Sequence, residues 1–163
     1  MRDLSRRDDG DRTLYVFDLV DTSSESSDLV CDRAVLIVSP ALTLPRFSLV
    51  PQLEQSGTLG RLANWVIRQA PSGGGDKVEF PASPAFQQRY ALMTDDEPAV
   101  RRCFTAERLA RLAETRNWIV EAEGDGLSLD RLEIGPTGRR PGPIQLTERL
   151  SDARRAWEIF GAA

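Results

Sequence analysis

The sequence predicts an α+β fold: an antiparallel sheet built from hairpins, with helices packed on one face. Three observations carry that prediction. Residues 118–129 alternate in polarity around Gly124-Asp125-Gly126, with Trp118, Val120 and Ala122 on one side of the chain and Ile119, Glu121 and Glu123 on the other. Residues 13–38 hold two apolar, β-branched runs on either side of a serine-rich stretch, a second and longer hairpin. The C-terminal segment places Leu146, Leu150, Ala153, Trp157 and Phe160 at i, i+4, i+7, i+11 and i+14, one stripe of a helix. Hairpins separated by helices, rather than strict strand–helix alternation, point to an antiparallel sheet, and helices with a single apolar stripe pack on one of its faces.

Residues 1–12 are charged and contain glycine, and read as a disordered lead-in to a single domain over residues 13–163. Thr13–Val20 alternates Tyr15, Phe17 and Leu19 against Leu14, Val16 and Val20, which predicts a strand. Thr22 to Asp28 cannot bury itself and reads as an exposed loop; Val30–Val38 returns as a strand. Pro40 and Pro45 break the chain before a short strand, Phe47 to Val50.

Leu59, Leu62, Ala63, Val66 and Ile67 recur at helical spacing between Thr58 and Gln69, and Pro71 to Gly75 follows as a flexible loop. Val78-Glu79-Phe80 and Tyr90 to Met93 read as short strands. Thr94 with Glu97 fits a capping box for a helix to about Cys103, and Thr105 caps another, Ala106 to Thr115, with Leu109, Leu112 and Ala113 facing inward. Gly135 to Pro143 is a loop by composition, and Gly161 ends the last helix.

A chain of 163 residues and 18.1 kDa suits one domain and buries roughly 70% of its unfolded surface without a disulfide. Its net charge of -4 argues against nucleic acid or an anionic membrane surface as the main partner. No apolar run reaches the length of a membrane span; the best, Ala34 to Val38, stops at Pro40. With no signal peptide visible, a cytoplasmic location is expected, and Cys31 and Cys103 are expected to be free buried thiols. Of the 21 basic residues only Lys77 is a lysine, and the arginines come as scattered pairs.

There is no histidine. That removes the Ser-His-Asp triad, the Cys-His pair, and His-ligated zinc, iron and haem. Two cysteines cannot complete a four-cysteine site within one chain. What remains is carboxylate, lysine, tyrosine or Ser/Thr chemistry, or a carboxylate-bound hard cation.

Each remaining motif has a plain structural explanation. Ser72 to Lys77 is rich in glycine but lacks the Gly-Lys-Ser/Thr of a phosphate loop and leads into a strand. Asp95, Asp96 and Glu97 carry oxygen ligands for a hard cation, yet the same residues serve as a helix start. Asp8-Asp9-Gly10-Asp11 is too short for a calcium loop. Glu121 and Glu123 share a strand face about 7 Å apart by strand rise, a spacing suited to paired-carboxylate hydrolysis. They also fit the solvated face of an amphipathic strand. Arg139 and Arg140, in the most exposed basic loop, are the candidate partner-binding residues. No catalytic, metal or cofactor site is legible.

The motif order carries a resemblance. Tyr15 to Asp18 precedes a polar loop; then come Ala34 to Val38, Leu44 to Phe47 with Val50-Pro51, and Phe80 with Phe86 and Tyr90. Asp96-Glu97, Val100-Arg101, Phe104-Thr105 and the Trp118-to-Leu129 hairpin complete it. This order resembles a group of uncharacterised bacterial proteins, over residues 13–160. In many of them the domain follows N-terminal transmembrane helices, on the cytoplasmic side. The resemblance implies no catalytic residues, and this sequence departs from it in showing no membrane helix.

The expected function is therefore that of a non-enzymatic binding or accessory domain acting through protein–protein contacts, with a homodimer compatible. A Mg²⁺-assisted carboxylate hydrolase using Asp95, Asp96, Glu97, Glu121 or Glu123 is the alternative, and a small acidic chaperone-like dimer a third.

Overall fold

In the computed structural model, which describes residues 2–21, 30–52, 75–131 and 146–161, eight strands pair antiparallel into one open sheet. In chain order the strands are β1 (Arg2–Asp9), β2 (Arg12–Asp21), β3 (Val30–Val38), β4 (Leu44–Pro51), β5 (Asp76–Val78), β6 (Tyr90–Thr94), β7 (Trp118–Gly124) and β8 (Gly126–Arg131). Across the sheet the order is β1-β2-β3-β8-β7-β4-β6-β5. The described helices are α1 (Pro84–Gln87), α2 (Glu97–Cys103), α3 (Ala106–Ala113) and α4 (Leu146–Phe160).

Both predicted hairpins form. β2 and β3 pair from Thr13↔Val38 to Asp21↔Val30, and β7 and β8 pair from Trp118↔Arg131 to Glu123↔Gly126. The β7–β8 hairpin does not lie at the end of the sheet. It inserts between β3 and β4, so that Val35 faces Leu129 and Leu49 faces Val120.

The disordered lead-in expected over residues 1–12 is corrected: Arg2–Asp9 is an edge strand, paired with β2 from Ser5↔Val16 to Asp9↔Arg12 beyond a register shift. Gly10, at φ 68, makes the turn. Arg12 donates to Asp9 at 2.6 Å and its guanidinium stacks 4.9 Å from the Trp157 ring centroid. The charged composition is that of an edge strand, where charge discourages further pairing.

The strand predicted at Phe47 to Val50 runs from Leu44 to Pro51. α1 was not foreseen. The helix start at Thr94 is also corrected. The N-cap is Asp96, whose Oδ1 accepts from Ala99 N at 3.0 Å. Thr94 Oγ1 instead donates to the Arg46 carbonyl at 2.6 Å and accepts from Asp96 N at 3.0 Å, ending β6 and steering the chain into α2. Thr105 caps α3 as expected, accepting from Arg108 N. The helix expected over 58–69, the loops over 22–28 and 135–143, and residues 71–74 of the glycine loop lie outside the described residues.

The core follows from alternation. Val16, Val35, Leu129, Val120, Leu49, Leu92 and Val78 are successive cross-strand partners on one face, all buried. Helix residues Val100, Leu109, Leu112, Ala153, Ala156, Ile159 and Phe160 join them in a single cluster. Phe47, Phe80, Phe104 and Phe160 pack at centroid separations of 4.9–6.2 Å, and each such pair contributes roughly 0.5–1.5 kcal/mol beyond its area. The fold is α+β, with its helices packed on the sheet.

The α4 stripe needs one adjustment. Leu146 is exposed and Leu150 and Trp157 are half-buried, while Arg149 and Asp152 are buried beside Ala153, Ala156, Ile159 and Phe160. The helix is rotated so that two charged residues face the sheet, where β8 supplies their partners.

Among the described residues no helix is long and apolar enough to cross a membrane. Cys103 is a free, half-buried thiol whose Sγ accepts from Arg108 at 3.0 Å, and burial pushes its pKa up.

Candidate functional site

Two places bring chemically able side chains together. The first is on the sheet face opposite the helices. There, Arg6, Tyr15, Leu36, Ser128, Glu121, Ser48, Met93 and Lys77 are successive cross-strand partners, a row that crosses all eight described strands. At about 4.8 Å per strand the row is roughly 34 Å long. Its ends are cationic and its middle is mixed. None of its members belongs to the helix-side core cluster.

Near the middle of the row a groove of about 320 Å³ opens between Leu36, Arg46, Glu121, Glu123, Gly126 and Ser128. Glu121 is half-buried there, and desolvation raises its carboxyl pKa against the opposing pull of the Arg46 guanidinium. Glu123 is exposed. Ser48, directly opposite Glu121 on β4, has a buried Oγ with no hydrogen-bond partner among the described residues. Such an atom costs stability unless something satisfies it.

The second place lies between the end of α3, the start of β7 and α4. A recess of about 380 Å³ is lined by Glu114, Arg116, Asn117, Trp118, Arg131, Asp152 and Arg155, with Thr115 at its wall. Asn117 sits at φ 58, a left-handed conformation that asparagine tolerates, and it turns the chain into β7. Tyr90 braces the turn from below: its hydroxyl lies 2.7 Å from Thr115 Oγ1 and accepts from Trp118 N at 3.3 Å. Arg131 Nη2 donates to Asp152 Oδ1 at 2.5 Å, and Arg155 pairs with Glu114 at 3.0 Å. Arg131 Nε and Asp152 Oδ2 are buried without partners among the described residues. Beside them, Arg149 Nη2 donates to Asp130 Oδ1 at 2.9 Å.

Asp96 caps α2 and Glu97 pairs with Arg101 at 2.6 Å, so both serve the helix. Asp95 is exposed. Glu121 and Glu123 share the groove, with Glu121 half-buried rather than solvated. Asp8 and Asp9 pair with Arg6 and Arg12. Asp76 and Lys77 lie on β5. Arg139 and Arg140 lie outside the described residues. Among the described residues no group of three or more carboxylate, cysteine or histidine side chains could hold a metal ion.

Sequence reasoning missed Arg46, Arg116, Arg131 and Asp152. For the last no local signal was available: Asp152 lies off the stripe of Leu146, Leu150, Ala153, Trp157 and Phe160, and only the rotation of α4 in its packing buries it.

No family model matches the chain, and no curated protein or solved structure matches it either.

Proposed function

We propose that the protein is a non-enzymatic binding domain that receives a protein partner on the sheet face opposite its helices. The observation that carries this reading is the groove at Leu36, Arg46, Glu121 and Ser128. It combines apolar surface, a cation, a carboxylate held partly out of water, and the neighbouring unsatisfied Ser48 hydroxyl. Interfaces are built from such mixtures of apolar contact and a few polar groups that fix register. The cytoplasmic, membrane-proximal setting implied by the motif order belongs to the same proposal.

A photo-crosslinking residue at Ser128, used in cells of the source organism, tests it. The expected result is one dominant crosslinked protein whose capture is lost when Leu36→Glu is added, with the circular dichroism spectrum kept. Crosslinks that are unaffected by Leu36→Glu overturn the reading.

The second reading, a carboxylate-dependent hydrolase, is favoured by one observation: Glu121, its pKa raised by burial, and Glu123 line the same groove. One half-buried and one exposed carboxylate are the kind of unlike pair that divides into acid and base. Turnover on a hydrolase substrate panel that is abolished by Glu121→Gln would establish it.

A further inference from the structure

The recess between α3, β7 and α4 lies away from the groove and does not depend on it. Its lining carries three guanidiniums, Arg116, Arg131 and Arg155, against two carboxylates, Glu114 and Asp152. Arg116 has no ion-pair partner among the described residues and is exposed at the mouth. Among the described residues Arg155 is held only by an exposed pair with Glu114, a contact that water weakens and a ligand can displace. These cations favour an oxyanion, and the planar fork of arginine matches a carboxylate or a phosphate.

Asp152 adds the second half of the specification. It is 7% exposed, and only one of its oxygens is used. Among the described residues Oδ2 has no donor, and the adjoining Arg131 Nε has no acceptor. A ligand with a carboxylate alone would satisfy the arginines and leave Asp152 repelling it. A ligand with an N–H beside its carboxylate meets both demands. The volume of about 380 Å³ sits at the small end of the range for ligand pockets, roughly 300–1,000 Å³.

We propose that this recess binds an α-carboxylate with an adjacent N–H donor, with Arg116 and Arg155 taking the carboxylate and Asp152 accepting from the nitrogen. A peptide C-terminus and a free amino acid share this chemistry. Capture of a terminal carboxylate is a recurrent mode of peptide recognition.

The test is ¹⁵N NMR on the full chain, reading the Arg131 Nε–H and Trp118 N–H signals. The probes are trialanine, its C-terminal amide, free alanine and inorganic phosphate. Trialanine is expected to shift both signals saturably by about 10 mM, tenfold above a millimolar Kd. The amide is expected to bind at least about tenfold more weakly, as is trialanine to Arg116→Ala. Alanine matching trialanine assigns a free amino acid; alanine binding weakly assigns a peptide C-terminus. Acid and amide binding alike, phosphate binding as tightly as trialanine, or no shift at all overturns the proposal. Arg116 is exposed, so its variant tests the recess with the fold intact.

Discussion

Arg131 on β8 donates to Asp152 on α4 at 2.5 Å, and the pair ties the last helix to the middle of the sheet. The side chains are 28% and 10% exposed, so each is mostly removed from water. Desolvating two charges is costly, and the remaining unsatisfied Nε and Oδ2 add to that cost. The pair therefore orients α4 more than it stabilises it, and losing one partner is worse than losing both.

Asp152→Ala is accordingly expected to destabilise the fold by about 2–3 kcal/mol, because it leaves Arg131 without its carboxylate. Arg131→Met combined with Asp152→Ala is expected to recover at least half of that loss. Urea unfolding of the two single variants and the double variant measures the coupling. Additive losses would show that the two residues act separately.

The C-terminal end of α4 is held by α3. Arg108 donates through Nε to the Ile159 carbonyl at 2.8 Å and through Nη1 to the Cys103 carbonyl at 2.6 Å, while Arg111 reaches the Glu158 carbonyl at 2.8 Å. Cations at a helix C-terminus satisfy carbonyls that the helix itself cannot and meet the negative end of its dipole. Arg108→Ala is expected to cost about 2 kcal/mol, with hydrogen exchange accelerating first in residues 156–160. Uniform acceleration along the whole chain would argue against a local cap.

Glu121 makes stability depend on pH. Burial raises its folded pKa above the unfolded value, so its contribution is fully present below the unfolded pKa and is lost as pH rises through the folded pKa. At neutral pH the ionised carboxylate thus weighs against the fold. Glu121→Gln is expected to stabilise the protein at pH 7.5, by under about 1 kcal/mol because the group is half in water. The gain should vanish near pH 4, and thermal melts at the two pH values check the sign. A gain that is the same at both would remove ionisation as the cause.

Gly75 lies against β6, where a Cβ would come within 2.2 Å of the Thr94 carbonyl carbon. Backbone cannot rotate out of the way as a side chain can. Gly75→Ala is expected to destabilise the protein by about 1–3 kcal/mol and to loosen the three-residue strand β5 at the sheet edge. Calorimetry on the variant measures the loss, and an unchanged melting temperature would show that the approach is not close.

Local patterns in the sequence determined the elements and their faces. The alternation of residues 118–122, the β2–β3 pairing and the Thr105 cap are all legible from neighbours within a few positions, because side-chain direction repeats every two residues in a strand and every 3.6 in a helix. Residues 1–12 were misread because charge on an edge strand looks like charge in a disordered tail; only the partner strand distinguishes them. Tertiary structure alone decided that β7 and β8 lie between β3 and β4, since that choice rests on core packing between residues far apart in sequence. The same insertion put Glu121 opposite Ser48 and set Arg131 within reach of Asp152. Spacing along the chain carries no information about such meetings, because they depend on which strands become neighbours. The absence of histidine excluded whole classes of chemistry from the sequence alone. The groove and the arginine recess exist only once the sheet is assembled.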